Sequence, residues 1–192
     1  MRNKLKFPFE IRITERLVIR KLLQSDCDDL LEIYSDPVVV KNWGMNPLTL
    51  ESEVSEIVSS ADSSFNDSKS ITLGIVEKET EKLIGLLLMF NLNESSNRAE
   101  VGYALNQSYW GMGYMQEAFT SFIEYLLHDL AIRRLEADIN PTNAASAKVL
   151  LKAGFLKEGL LRSRWEFNGV ANDAEIYGLL NPNINKPVLE RP

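Results

Sequence analysis

"NQSYWGMGYMQEAF", Asn106–Phe119, sets two glycines one residue apart, Gly111 and Gly113, just ahead of a long patterned run. Glycine is unfavourable inside a helix, so the pair marks a boundary between two elements. Upstream, Val101, Tyr103 and Leu105 alternate with Glu100, Gly102 and Ala104, the period of a strand. Downstream, Met115, Ala118, Phe119, Phe122, Ile123, Leu126 and Leu130 recur at helical spacing over about four turns. "RRLEADI" then reads as a further short strand. Strand 98–105, helix 112–130 and strand 133–139 therefore form a β-α-β unit whose strands are parallel neighbours. The glycine loop lies at the carboxyl end of the first strand.

Outward from that unit, Ile11–Arg20 ("IRITERLVIR") alternates and reads as a first strand. Ser25 caps a helix that Pro37 stops, "VVVKNWGMNP" is a loop, and Thr49 caps a weaker helix through about Ser60. "DSSFNDSKS" is a loop. Ile71–Val76 and Leu83–Phe90 are strands, and the second is apolar on both faces, which makes it central. "NPTNAASAKVLLKAG" takes Asn140 as N-cap, Pro141 as first helical residue and Gly154 as stop. Asn168-Gly169 closes a terminal hairpin, and 181–192 is a tail with three prolines. The element order predicts an α/β (α+β type) fold in one domain, 1–192. It has a mixed sheet of six to seven strands and about four flanking helices.

The net charge of −6 argues against general nucleic-acid binding, which needs clustered Lys and Arg. No apolar run approaches the ~20 residues of a membrane span, and "MRNKLKFPFEIR" contains no signal-peptide core. Cys27 is the only cysteine, so no internal disulfide forms and a reducing cytoplasm is the expected setting. The same isolation makes Cys27 a small buried hydrophobe rather than a nucleophile. His128, the sole histidine, falls on the polar side of helix 112–130, and no metal-ligand spacing is present.

At a helix start the first N–H groups lack partners and the macrodipole is positive, so glycines there admit an anion close to the backbone. No Lys or Arg occurs from Ala99 through Ile132, so backbone amides must do most of any anion binding by this segment. The glycines alone leave a second reading open, a turn that lets strand and helix pack. The loop is neither a dinucleotide fingerprint, lacking the third glycine, nor a Walker loop, lacking Gly-Lys-Ser/Thr.

"TERLVIRKL", "AEVGYALNQSYWGMGYMQEAF", "NPTNAASAKVLLKAGFLKEGLLR" and "NGVANDAEIYGLL", in that order, resemble the GNAT acetyltransferase superfamily. They are most similar to the branch containing the RimJ/RimL ribosomal-protein N-terminal acetyltransferases. The resemblance runs from about Thr14 to Leu180. It implies the GNAT fold with its fourth and fifth strands, parallel, splayed around acetyl-CoA. It also implies N-acetyl transfer to an amine in a ternary complex, and homodimers are common in that family. Trp110-Gly111-Met112-Gly113-Tyr114-Met115 occupies the family's pyrophosphate loop, and Asn143 matches a pantetheine-binding amide. Met115 stands where the superfamily prefers Gly or Ala, so it either tightens the pocket or packs in the core.

The remaining roles follow the same resemblance. Backbone N–H groups near Leu105 serve the oxyanion. Many members carry a tyrosine acid at the position of Leu150; here the hydroxyl lies one turn earlier, at Ser146, the candidate proton donor to the thiolate. The alternative for Ser146 is a small residue that lets its helix approach the strand gap. Glu100 is the favoured base, with Glu166, beside Trp165, as the other candidate if a bulge shifts the register. Glu100 is equally readable as a structural ion-pair partner. Trp43, Met45, Trp165 and Phe167 fall in the region where the acceptor enters. That acceptor is expected to be a protein N-terminus, with a small-molecule amine next. A silent acyl-CoA-binding module is third.

Overall fold

The computed structural model describes residues 7–184. Its strands are Arg12–Ile13 (β1), Leu17–Lys21 (β2), Ile71–Glu77 (β3), Leu83–Asn93 (β4), Arg98–Leu105 (β5), Arg134–Ile139 (β6), Leu156–Phe167 (β7) and Val170–Leu180 (β8). They make one sheet in the order β1-β2-β3-β4-β5-β6-β8-β7. Five α-helices flank it: Cys27–Ser35 (α1), Pro37–Val40 (α2), Glu51–Asn66 (α3), Tyr114–Glu124 (α4) and Ala144–Lys152 (α5).

Every pairing is antiparallel except β5 with β6. That parallel ladder holds only Arg98↔Arg134, Ala99↔Leu135 and Glu100↔Glu136. Beyond it each strand follows its own antiparallel neighbour. β5 stays on β4 as far as Leu105 opposite Gly85, and β6 stays on β8 as far as Ile139 opposite Glu175. The two strands diverge, as expected of the splayed pair, and the sheet opens at its middle.

Central placement explains why β4 is apolar on both faces. Leu87 and Met89 pack with Phe119, Phe122 and Leu126 beneath α4, while Leu86 packs with Leu30, Ile33, Val54 and Val58 beneath α1 and α3. Cys27 is buried in the second cluster, and burial pushes its thiol pKa up. The Asn168-Gly169 turn is as expected, with φ of +50° and +75° at its two residues.

Several local expectations need correction. The single strand Ile11–Arg20 is instead the hairpin β1–β2, giving eight strands rather than six to seven. Thr14 closes it by bonding Leu17 through both backbone and hydroxyl. Pro37 does not simply end a helix. It starts α2, with Asp36 as N-cap accepting from the Val38 N–H at 2.8 Å. Asp26, rather than Ser25, accepts the Leu23 N–H at the start of the first helical segment. Leu50, not Thr49, precedes α3, where Glu53 accepts from the N–H groups of both. α3 also runs on to Asn66, through much of the expected loop, because Phe65 reaches the core. The long fourth helix is α-helical only to Glu124 and finishes in a π-turn, Tyr125–Asp129. Asn181, assigned to the tail, is buried and donates to the carbonyls of Leu127 and Ile132. The rest of that tail, 185–192, lies outside the described residues.

Candidate active site

Where β5 and β6 part, a cleft opens with two arms that meet at Asn42, Trp43, Tyr103, Asn143 and Ser146. One arm, about 530 Å³, runs toward the glycine loop and the exposed side of α5. The other, about 510 Å³, runs between β5, β6 and the bulged part of β7.

In the first arm Gly111 and Gly113 adopt φ of +77° and +83°, the left-handed region that side chains other than glycine's rarely occupy. A Cβ on Gly111 would meet nothing within 4 Å, so conformation rather than space demands glycine there. Gly113 is the N-cap of α4 and aims the first amides of that helix outward. Trp110 is exposed and its indole donates to the Leu105 carbonyl at 2.8 Å. Met115 is buried in the core and also lines the arm. Met112 is exposed and Tyr114 is half-buried; neither side chain lines this arm.

Positive charge reaches the loop from elsewhere in the chain. The Arg16 guanidinium donates to the Met112 carbonyl at 3.0 Å, lies over the Tyr114 ring at 4.3 Å and pairs with Glu117 at 2.7 Å. Burial pushes the Glu117 carboxyl up, but donors from Thr14 and Arg16 outweigh it and hold the group below the ordinary range. Lys148 and Lys152 of α5 line the arm opposite. None of these three cations is near the loop in sequence. The β1–β2 turn carries Arg16 there, and only "TERLVIRKL" as a motif hinted at it.

The sheet edge supplies further donors. Asn106 N–H donates to the Ile84 carbonyl at 2.8 Å and Leu105 stands opposite Gly85. Leu105 and Tyr103 therefore turn their own N–H groups away from β4, toward the gap. Across from them, α5 begins one turn later than expected. Asn140 accepts from the N–H and hydroxyl of Thr142 and closes a turn, and Asn143 is the cap, accepting from the Ser146 N–H at 3.1 Å. Capping uses the Asn143 carbonyl oxygen, and Asn143 lines both arms. The Ser146 carbonyl accepts from the Tyr103 hydroxyl at 3.1 Å, which ties α5 to β5 at the junction of the arms. The Ser146 hydroxyl has no partner among the described residues. Leu150, one turn on, is fully buried.

The second arm brings together Trp43, Glu100, Asp138, Arg164 and Trp165. Glu100 accepts from Asn91 at 3.2 Å and lies 3.8 Å from Arg98. β7 does bulge between Leu161 and Trp165, where four residues span the space of two on β8. The bulge turns Arg164 and Trp165 to the arm, whereas Glu166 is exposed and does not line it. Phe167 and Trp165 pack around Gly44, so Phe167 supports the wall without lining it. Met45 packs in the core under α1, and the Trp43 ring lies 5.6 Å from that of Tyr34. Asp138, with Arg164 at 3.6 Å, was not foreseen, because nothing local distinguishes it from any strand acid. His128 is exposed. Among the described residues no group of three His, Cys, Asp or Glu could hold a metal, and no helix is long and apolar enough to cross a membrane.

Residues 16–156 match the family model described as "Acetyltransferase (GNAT) domain". The chain is 33% identical over 171 residues to the "Uncharacterized N-acetyltransferase p20" of Bacillus licheniformis, covering 89% of this chain and 96% of that one. It is 26% identical to the "[Ribosomal protein uS5]-alanine N-acetyltransferase" of Escherichia coli, over 88% of this chain and 90% of the relative. Among solved structures, spermidine N-acetyltransferase from Vibrio cholerae in complex with CoA and spermine superposes with a TM-score of 0.76. That match is at 18% identity and covers 86% of this chain and 96% of the other.

Proposed function

The chain belongs to the GNAT acetyltransferase family and is an acetyl-CoA-using N-acetyltransferase; on that premise we propose direct acetyl transfer to a protein N-terminal α-amine in a ternary complex. One observation carries the reading. The two arms meet at Tyr103, Asn143 and Ser146, so donor and acceptor can enter from opposite sides and touch there. The amides of residues 111–115, with Arg16, Lys148 and Lys152, bind the pyrophosphate of acetyl-CoA in the first arm. The Asn143 NH₂ orients the pantetheine, the Leu105 and Tyr103 N–H groups receive the oxyanion, and Ser146 protonates the leaving thiolate. A carboxylate of the second arm takes a proton from the amine. With Cys27 buried in the other core cluster, the chain offers no thiol for a covalent step.

The second arm opens between the turn Lys41–Trp43 that follows α2 and strand β7, with Trp43 and Trp165 as walls suited to a chain end. Its acids also suit a small cationic amine, the second reading, which the spermidine enzyme's fold keeps in play. Release of CoA thiol is the test, with free-N-terminus peptides set against polyamines and aminoglycosides. Turnover of peptides alone supports the first reading and turnover of small amines alone replaces it. Acetyl-CoA binding without turnover on any amine leaves only a binding module.

Two substitutions probe the donor side. Arg16→Met is expected to raise the acetyl-CoA KM about fivefold, roughly 1 kcal/mol, with kcat little changed. An unmoved KM would confine Arg16 to the fold. Ser146→Ala is expected to lower kcat about tenfold at constant acetyl-CoA KM, a modest effect because a serine of ordinary acidity is a weak proton donor. An unaltered kcat would make Ser146 the small residue that admits α5 to the gap.

A further inference from the structure

Two carboxylates line the acceptor arm, and their positions differ. Glu100 sits at the last rung of the β5–β6 ladder, opposite Glu136. It is engaged by Asn91 and lies near Arg98, which is the partner of Glu136. Asp138 lies two residues further along β6, inside the splay. Extending the register past Glu100↔Glu136 sets it level with Gly102, which offers no side chain across the gap. A Cβ on Gly102 would touch only Phe90, at 3.4 Å, so the space before Asp138 is open on that side. Asp138 thus lies past the end of the ladder, as does Tyr103, one of the residues shared by both arms, whereas Glu100 lies on the ladder itself.

We propose that Asp138 is the carboxylate that accepts the proton of the acceptor amine, and that Arg164 sets the pH at which it does so. This rests on the transferase reading above. An acceptor ammonium gives one proton to the Asp138 carboxylate, and the freed nitrogen pair forms the C–N bond at the thioester carbon. As the C–S bond breaks, Ser146 protonates the thiolate and is reprotonated by the second proton leaving the nitrogen, so the amide nitrogen keeps one of its original three. Asp138 returns its proton to water, so no oxidant or other co-reactant is needed.

The surroundings fit such a group. Burial raises the Asp138 pKa, and Arg164 pulls it only part of the way back, through a 3.6 Å contact from a half-exposed side chain. The other groups facing it are Glu100 across the arm, Ile176 from β8, and Glu136 on its own strand. Glu136 is already neutralised by Arg98 and Arg134. Neither Arg98 nor Arg134 is paired with Asp138, which leaves Arg164 as its controlling charge.

The test is kcat/KM against pH, on the amine that the wild type turns over best, for Asp138→Asn, Glu100→Gln and Arg164→Gln. Asp138→Asn is expected to lose about 100-fold or more and its acid limb, with acetyl-CoA affinity retained as proof of folding. Glu100→Gln is expected to keep the limb. Arg164→Gln is expected to move it to higher pH, because removing the cation raises the Asp138 pKa further. A wild-type profile in Asp138→Asn, loss of the limb in Glu100→Gln, or an unmoved limb in Arg164→Gln would each overturn the assignment while leaving the transferase reading intact. Failure of the wild type itself to acetylate any amine would sink both.

Discussion

Gly113→Val is expected to raise the KM for acetyl-CoA about 100-fold while the protein remains folded. Gly113 sits at φ +83° and ψ −1°, where a β-branched residue is a conformational outlier costing about 1–3 kcal/mol. Crowding is not the cause, since the new Cβ would lie 3.5 Å from Arg16 Nη2, an ordinary contact. The strain is relieved by turning the peptide units around 113, and those units carry the amides at the start of α4 that are proposed to hold the pyrophosphate. A loss of about 2.7 kcal/mol in binding corresponds to the stated factor. Gly111→Ala should give a smaller effect in the same direction, since it shares the backbone requirement without a β-branch. Steady-state kinetics with acetyl-CoA varied, beside a thermal melt, checks both. A Gly113→Val enzyme with wild-type KM would reduce the loop to a packing turn.

That loop was legible because everything that defines it is local: alternation before it, two glycines, and helical spacing after it. β4 and the Asn168-Gly169 turn were legible for the same reason, one from an unbroken apolar run and the other from a dipeptide with few conformational choices. The errors cluster where a distant contact decides. Thr14 breaks the first strand because Leu17 bonds back to it, and Phe65 draws α3 through a polar stretch because the core has room for a ring. Asn140 and Asn143 are equally good caps in sequence, and only the turn closed on Thr142 selects the second. The charges of the site follow this rule. Arg16 reaches Met112 across 96 positions, and Arg164 meets Asp138 only through a bulge whose extent no local pattern announces.

Gly85→Val is expected to destabilise the fold by about 3 kcal/mol, near the upper end for overpacking a core. For a chain of this size that lowers Tm by roughly 6–12 °C. The Cβ built on Gly85 falls 2.6 Å from the Ala104 carbonyl oxygen, 3.0 Å from Leu105 Cδ1 and 3.1 Å from Ile75 Cδ1. A side-chain tip can rotate away, but the Ala104 carbonyl belongs to the β4–β5 ladder and moves only if β5 moves. β5 is also the strand whose Leu105 N–H faces the cleft, so whatever folds should show a lower kcat as well as a lower Tm. Gly102→Ala, on the neighbouring strand β5, is the control, because its Cβ meets a single ring carbon at 3.4 Å and should leave Tm within about 3 °C of wild type. It places a methyl in the second arm, level with Asp138, and should raise the acceptor KM. If Gly85→Val melts like the wild type, β5 is free to shift away from β4. The separation of β5 from β6 would then not be held by β4, and the splay would need another cause.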